Sequence, residues 1–154
     1  MRTEKFLSAC AVGAWILHPD YFSACQSQNA FVDEEKYEWS AIWSPKISSL
    51  VNAPKYCRLM NKSRKVYENW NVLLLIDEKR LGGFKRLIEL GGGYVSTSED
   101  SSSFTHVITD TNSASALRID AFKSRYPNAV IAKTDYISEF LINGDSFDPS
   151  YFIL

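Results

Sequence analysis

One short unit occurs twice in this chain, and that repetition limits what the chain can fold into. Residues 8–29 read SACAVGAWILHPDYFSACQSQN, and a looser copy, RYPNAVIAKTDYISEFLING, fills residues 125–144. Each copy has an apolar run (Trp15-Ile16-Leu17; Val130-Ile131-Ala132), two spacer residues, Asp-Tyr, and then an amphipathic stretch. An apolar run leading directly into a helix that starts at an acidic residue is a strand-to-helix unit of an α/β fold. Two such units point to two repeats of one small domain.

The chain has 154 residues, 45% of them apolar and 14% aromatic, which is enough to bury the core of one ordinary domain or two small ones. A formal net charge of -1 argues against a surface given over wholly to nucleic acid. No apolar run approaches the roughly 18 residues that span a bilayer, and no long apolar stretch follows a basic start, so neither a membrane span nor a signal peptide is expected. Cys10, Cys25 and Cys57 include no CxxC pair, and His18 and His106 lie far apart. No metal or cofactor site is therefore expected, and the cysteines read as reduced thiols with Cys10 in the core.

In chain order, the spacing predicts a helix over residues 3–12 with Thr3 as N-cap, an apolar face of Phe6, Leu7, Cys10 and Ala11, and a stop at Gly13. Residues 14–17 read as a short strand covered on both faces. A helix over residues 20–28 follows, with Tyr21, Phe22, Ala24 and Cys25 turned inward. One strand cannot bury these faces alone. The first repeat thus reads as cut at its start: either its remaining strands precede Met1 in a longer protein, or this part leans on the second repeat.

Residues 30–70 read as irregular, anchored by Phe31, Tyr37, Trp39, Trp43, Tyr56, Tyr67 and Trp70, and basic from Lys46 onward, with room for a short helix within 55–65. From residue 71 the pattern is complete. A buried strand over 71–76 is followed by a turn at Gly82-Gly83, a helix face of Phe84, Leu87 and Ile88 stopped by Gly91-Gly92-Gly93, and a strand at 94–95. After a polar loop over 96–103 come a strand at 105–109, a helix over 113–124, a strand at 129–132 and a helix over 135–143. That order makes an α/β unit, a four-stranded parallel sheet flanked by helices on both faces.

This element order, the Gly91-Gly92-Gly93 stop, the strand Thr105-His106-Val107-Ile108 and the strand before Asp135-Tyr136 resemble the BRCT domain, the repeat of DNA-damage-response proteins. Tyr21 and Tyr136 stand where that family usually has Trp. The resemblance implies a partial first BRCT repeat over residues 1–42, from its second helix onward, a basic and aromatic linker over 43–70, and a complete second repeat over 71–154. Within the family, Glu4-Lys5-Phe6-Leu7, Trp15-Ile16-Leu17, Lys36-Tyr37-Glu38-Trp39, Ala53-Pro54-Lys55 and Trp70-Asn71-Val72-Leu73 resemble the tandem repeats of the branch that serves the SMC5-SMC6 complex at damaged DNA.

The resemblance implies a non-catalytic nuclear module that reads a phosphoserine in the groove between repeats. Its partners would be a phosphorylated nuclear protein such as a ubiquitin ligase of post-replication repair, and the SMC5-SMC6 complex through a longer protein. Lys5 takes the place of the family's phosphate-facing lysine, with Thr3 beside it. Arg2 takes the place of the residue that contacts the peptide main chain, and Leu7 lines the pocket for an apolar side chain whose far wall comes from residues 79–84. A phosphate at a helix N-terminus meets free N–H groups and a favourable dipole, and a lysine adds a full charge. The family's first strand and its Ser/Thr-Gly loop are not among these residues. The second repeat offers no substitute, because Asp120 aligns with Lys5 and an acid repels phosphate.

The alternative is a DNA-binding or scaffold module without a working phosphate pocket, with Lys55, Arg58, Lys62, Arg64 and Lys65 of the linker on nucleic-acid phosphates. An enzyme is disfavoured: Ser8, Cys10 and His18 are near in sequence, but the first two belong to a packed helix and no acid is expected to orient His18.

Overall fold

A computed structural model describes residues 3–40, 52–99, 103–110 and 116–154. The strands Asn71–Leu75 (β1), Tyr94–Ser96 (β2), His106–Thr109 (β3) and Val130–Lys133 (β4) form one parallel sheet in the order β2-β1-β3-β4. β1 is apolar at every position after Asn71 because both its faces are covered. On one face Val72, Leu74, Val95, Ile108 and Ala132 pack beneath helices Glu78–Leu90 (α4) and Asp135–Asn143 (α6), which contribute Leu87, Ile88, Tyr136, Ile137 and Leu141. On the other face Leu73, Val107 and Ile131 meet Phe104 and, from helix Ala116–Arg125 (α5), Phe122 and Tyr126. The expected α/β layering is present. The expected start of α5 at residues 113–115 lies outside the described residues.

The leading helix, Glu4–Val12 (α1), begins and ends where its caps dictate. Thr3 Oγ1 accepts the Phe6 N–H at 3.3 Å, and Gly13, at φ 68°, returns its N–H to Ala9 and Cys10 carbonyls. Its buried stripe of Leu7, Cys10 and Ala11 joins the same core as the sheet: α1 lies across α4 and also touches α6 and helix Ala53–Met60 (α3). Between these elements Tyr67, fully buried, donates its hydroxyl hydrogen to the Ile137 carbonyl at 2.7 Å.

Four expectations need correction. Gly82-Gly83 is not a turn but the interior of α4, which starts at Glu78 because Asp77 Oδ1 accepts the Lys79 N–H at 2.8 Å. A cap at Asp77 and a buried stripe outweigh a glycine cost of about 1 kcal/mol per residue. Residues 14–17 are extended but join no sheet. They make one antiparallel bridge, Leu17 to Glu38, supported by His18 N–H to Tyr37 O and Trp39 N–H to Ile16 O, both 2.8 Å. No described strand lies alongside to complete a ladder, so Trp15 stays half-exposed.

Helix Asp20–Gln28 (α2) buries Tyr21 but leaves Phe22 75% exposed. Its main neighbour is the 3-10 turn Glu34–Tyr37, which covers one stripe only, with Tyr21 and Tyr37 rings 5.7 Å apart. Phe31, expected as an anchor, is 93% exposed, whereas Tyr67 and Trp70 are buried. Trp43 and Lys46 lie outside the described residues.

Tyr136 stands in an aromatic cluster with Trp70, His106 and Phe147, while Tyr21, expected from the sequence to match it, has different surroundings, a small satellite around Tyr37. The free edge of β4 is covered by the last residues: Lys133 N–H donates to Phe152 O at 3.0 Å and Leu154 N–H to Ile131 O at 2.8 Å.

Candidate functional site

The sheet places α4 so that its first two turns stand beside the first turns of α1, and a cleft of about 340 Å³ opens between them. Leu7, Phe84 and Leu87 give it an apolar base, and Glu4, Lys79 and Arg80 form its rim. Gly83 belongs to the wall, and a Cβ there would stand 3.6 Å from the Glu4 carboxyl group. That is an ordinary van der Waals distance, so a methyl group would fit between the helices there. Glu4 Oε1 accepts from Arg86 Nη1 at 2.8 Å, tying the start of α1 to the middle of α4.

Arg80 is fixed on two sides. Its Nη1 donates to Asp110 Oδ1 at 2.8 Å and its Nη2 to Thr134 Oγ1 at 3.1 Å, while the guanidinium carbon lies 5.2 Å from the Phe84 ring centroid. Asp110 Oδ2 also accepts the Asp77 N–H at 3.2 Å. The crevice at the C-terminal ends of β1 and β3, where the strand order reverses and α/β sheets commonly bind ligands, is thus filled by the protein's own carboxylate and guanidinium.

Of the residues singled out from the sequence, Leu7 and the 79–84 stretch come together in this cleft. Lys5 lies in the same first turn of α1, exposed and without an ion-pair partner among the described residues. Thr3 serves α1 as its N-cap, so its oxygen is engaged with the Phe6 N–H. Arg2 lies outside the described residues. Asp120 is exposed on α5, across the sheet from the cleft. The parts of Glu4, Arg86 and Asp110 escaped the sequence reading, because each depends on a partner at least 30 residues away.

The five basic linker residues do not make one free patch. Arg58 is buried, holds Glu38 through Nε at 2.8 Å and Nη2 at 2.7 Å, and stacks 3.6 Å from the Trp15 ring centroid. The hydrogen bonds from Glu38 keep the guanidinium charged, raising its pKa. Arg58 is therefore engaged in holding Glu38 and Trp15 together rather than displayed on the surface with the other linker cations. Lys55 pairs with Glu35 at 3.3 Å on the surface, and Lys62, Arg64 and Lys65 are exposed.

The constellation near His18 also differs from expectation. Asp20 Oδ2 lies 3.3 Å from His18 Nδ1, so an acid does stand beside the imidazole. The helix-entry turn at Pro19 brings it there. Cys10 is nonetheless fully buried, and the hydrogen bond with Cys57, together with burial, pushes its thiol pKa up, the opposite of an activated nucleophile. Among the described residues no group of three His, Cys, Asp or Glu side chains is gathered to hold a metal, and no helix is long and apolar enough to cross a membrane.

Comparison with known proteins extends this picture. No family model matches the chain. It is 34% identical over 153 residues to SMC5-SMC6 complex localization factor protein 1 of Homo sapiens, an alignment that covers 92% of this chain and 14% of that protein. It is 39% identical over 62 residues, 40% of the chain and 5% of that protein, to a BRCT domain-containing protein of Arabidopsis thaliana. The chain thus spans about a seventh of the localization factor it matches. Among solved structures, the BRCT5-BRCT6 domains of S. pombe Brc1 superpose with a TM-score of 0.60 at 17% identity, covering 92% of this chain and 73% of that one.

Proposed function

We propose that this chain, which has the BRCT fold and is homologous to the SMC5-SMC6 complex localization factors, is a non-catalytic recognition module of the nuclear DNA-damage response that reads a phosphoserine in a protein partner. The reading is carried by one observation: α1 presents Lys5 from its first turn while its next residues, with α4, wall the cleft. A phosphate beside Lys5 would meet a full charge and the positive end of a helix. The rest of the peptide would then run into the cleft, where Leu7, Phe84 and Leu87 can bury an apolar side chain. In this proposal residues 1–42 are the partial first repeat, residues 43–70 the linker and residues 71–154 the complete second repeat on which the first is docked. The name of the homologous factor ties that protein to the SMC5-SMC6 complex, and we extend the same connection to this chain.

The test is calorimetric titration of one peptide in phosphoserine and unmodified forms against the wild type and Lys5→Ala. The expected result is a clear preference for the phosphorylated form that Lys5→Ala reduces by about three- to tenfold, the range for losing one charge-assisted contact. Equal affinity for both forms would overturn the proposal. Binding to DNA that falls steeply with salt and ignores peptide phosphorylation would put the basic linker in its place.

A further inference from the structure

The polar loop that leaves β2 meets α5, on the sheet face away from the cleft. Glu99 makes the join. Its Oε2 accepts from Arg125 Nη1 at 2.9 Å, and its carbonyl accepts from Arg125 Nη2 at 2.8 Å and from the Tyr126 hydroxyl at 3.3 Å. Arg118 stands at 3.8 Å from Glu99 Oε1, longer than the roughly 2.7–2.9 Å of a charge-assisted hydrogen bond. It is half-exposed and donates no hydrogen bond among the described residues, so its fork of N–H donors is open to a stronger anion.

The hydroxyls of this loop are not equivalent. Ser96 Oγ donates to the Ser98 carbonyl at 3.0 Å and accepts the Ser98 N–H at 3.2 Å, which closes a small turn. Thr97 lies inside that turn, exposed, and its hydroxyl makes no hydrogen bond to a described residue. It is followed in sequence by Ser98-Glu99-Asp100, which places carboxylates two and three residues after it. A kinase whose substrate groove is basic selects a hydroxyl in that setting by charge complementarity. The Glu99 ion pairs are on the surface, where such pairs are weak enough to yield to an incoming groove.

We propose that Thr97 is a phosphorylation site for an acidophilic serine/threonine kinase, and that Arg118 takes up the phosphate and fastens this loop to α5. In the transfer, Thr97 Oγ1 bonds to the terminal phosphorus of ATP, the bond from that phosphorus to its bridging oxygen breaks, ADP leaves, and the hydroxyl proton passes to the kinase. The product carries close to two negative charges and three acceptor oxygens. The charged side chains of the loop and of α5 are Glu99, Asp100, Arg118, Asp120, Lys123 and Arg125, three of each sign. With no cation in excess, the phosphate replaces Glu99 on Arg118, while Arg125 keeps its closer hold on Glu99. This site is separate from the α1–α4 cleft and stands or falls independently of the phosphopeptide reading.

The test is incubation of the chain with casein kinase II and ATP, followed by tandem mass spectrometry and thermal melts. One phosphate is expected on Thr97, and Thr97→Ala, an exposed loop change, should abolish it. Protein kinase A, which reads basic residues, should transfer none there. Phosphorylation should raise the melting temperature by about 2–4 °C, the size expected for one good charge-assisted contact in a chain of this length. Arg118→Gln, an exposed change on α5, should still accept the phosphate but lose that rise. No transfer, transfer to a serine of residues 96–103 that survives Thr97→Ala, or equal transfer by protein kinase A would overturn the proposal. So would a phosphate on Thr97 that leaves the melting temperature unchanged, or a rise that Arg118→Gln retains.

Discussion

His106 shows how far one side chain's behaviour is set by what stacks on it. Its ring lies 3.9 Å from that of Trp70, and burial lowers its pKa from 6.5 to about 4. In the unfolded chain the imidazole gains a proton as pH falls through 6.5, whereas in the native chain it stays neutral down to about 4. The unfolded state therefore binds the extra proton between those values, and stability is lost as pH falls across that window, by about 3 kcal/mol at its lower end. Urea melts between pH 7 and 4 should show this loss, and His106→Asn should flatten it. Equal slopes for the two proteins would mean the imidazole does not titrate this way. Little of this was legible beforehand: His106 was readable as part of a buried strand, but not its stacking partner 36 residues away. The burial of Arg58 was hidden for the same reason, since nothing local announces that Glu38 and Trp15 will close over it.

Among the elements, those whose causes are local were legible. The ends of α1 follow from Thr3 and Gly13, β1 from an unbroken apolar run, and α2 and α6 were placed at residues 20–28 and 135–143. Errors arose where a neighbour decides. Residues 14–17 have the pattern of a strand but no described strand beside them. The glycines of α4 were taken for a turn because glycine has low intrinsic helix propensity, yet the Asp77 cap and the Leu87-Ile88 stripe hold the helix through them. This difference can be measured. A Cβ on Gly82 meets nothing within 4 Å, so Gly82→Ala should raise stability by about 0.5–1 kcal/mol. A Cβ on Gly91, just past the end of α4, would collide with the Tyr67 ring and with Val66, so Gly91→Ala should cost about 1–3 kcal/mol. Thermal melts of both variants check the pair; a loss for Gly82→Ala as large as that for Gly91→Ala would contradict the helical placement of the glycine pair.

At the scale of the whole molecule, the leading helix is part of the core of the sheet, and this union creates the cleft. Leu7 faces both ways, buried against the shared core and lining the cleft wall, so the residue that holds α1 in place also shapes the cleft. Leu7 and the 79–84 stretch were named together from the family resemblance, whereas Leu87 was read only as part of a helix face. The cleft's charge arrangement was not legible, because it is assembled from α1, α4 and the ends of β3 and β4. The most direct measurement is an NMR titration of the 15N-labelled chain with a phosphoserine peptide and its unmodified twin. The account predicts that the phosphorylated peptide shifts amides in the first turns of α1 and α4, from Lys5 to Leu7 and from Lys79 to Phe84, and that the twin does so far more weakly. Shifts gathered instead on residues 55–65, or identical for both peptides, would contradict it.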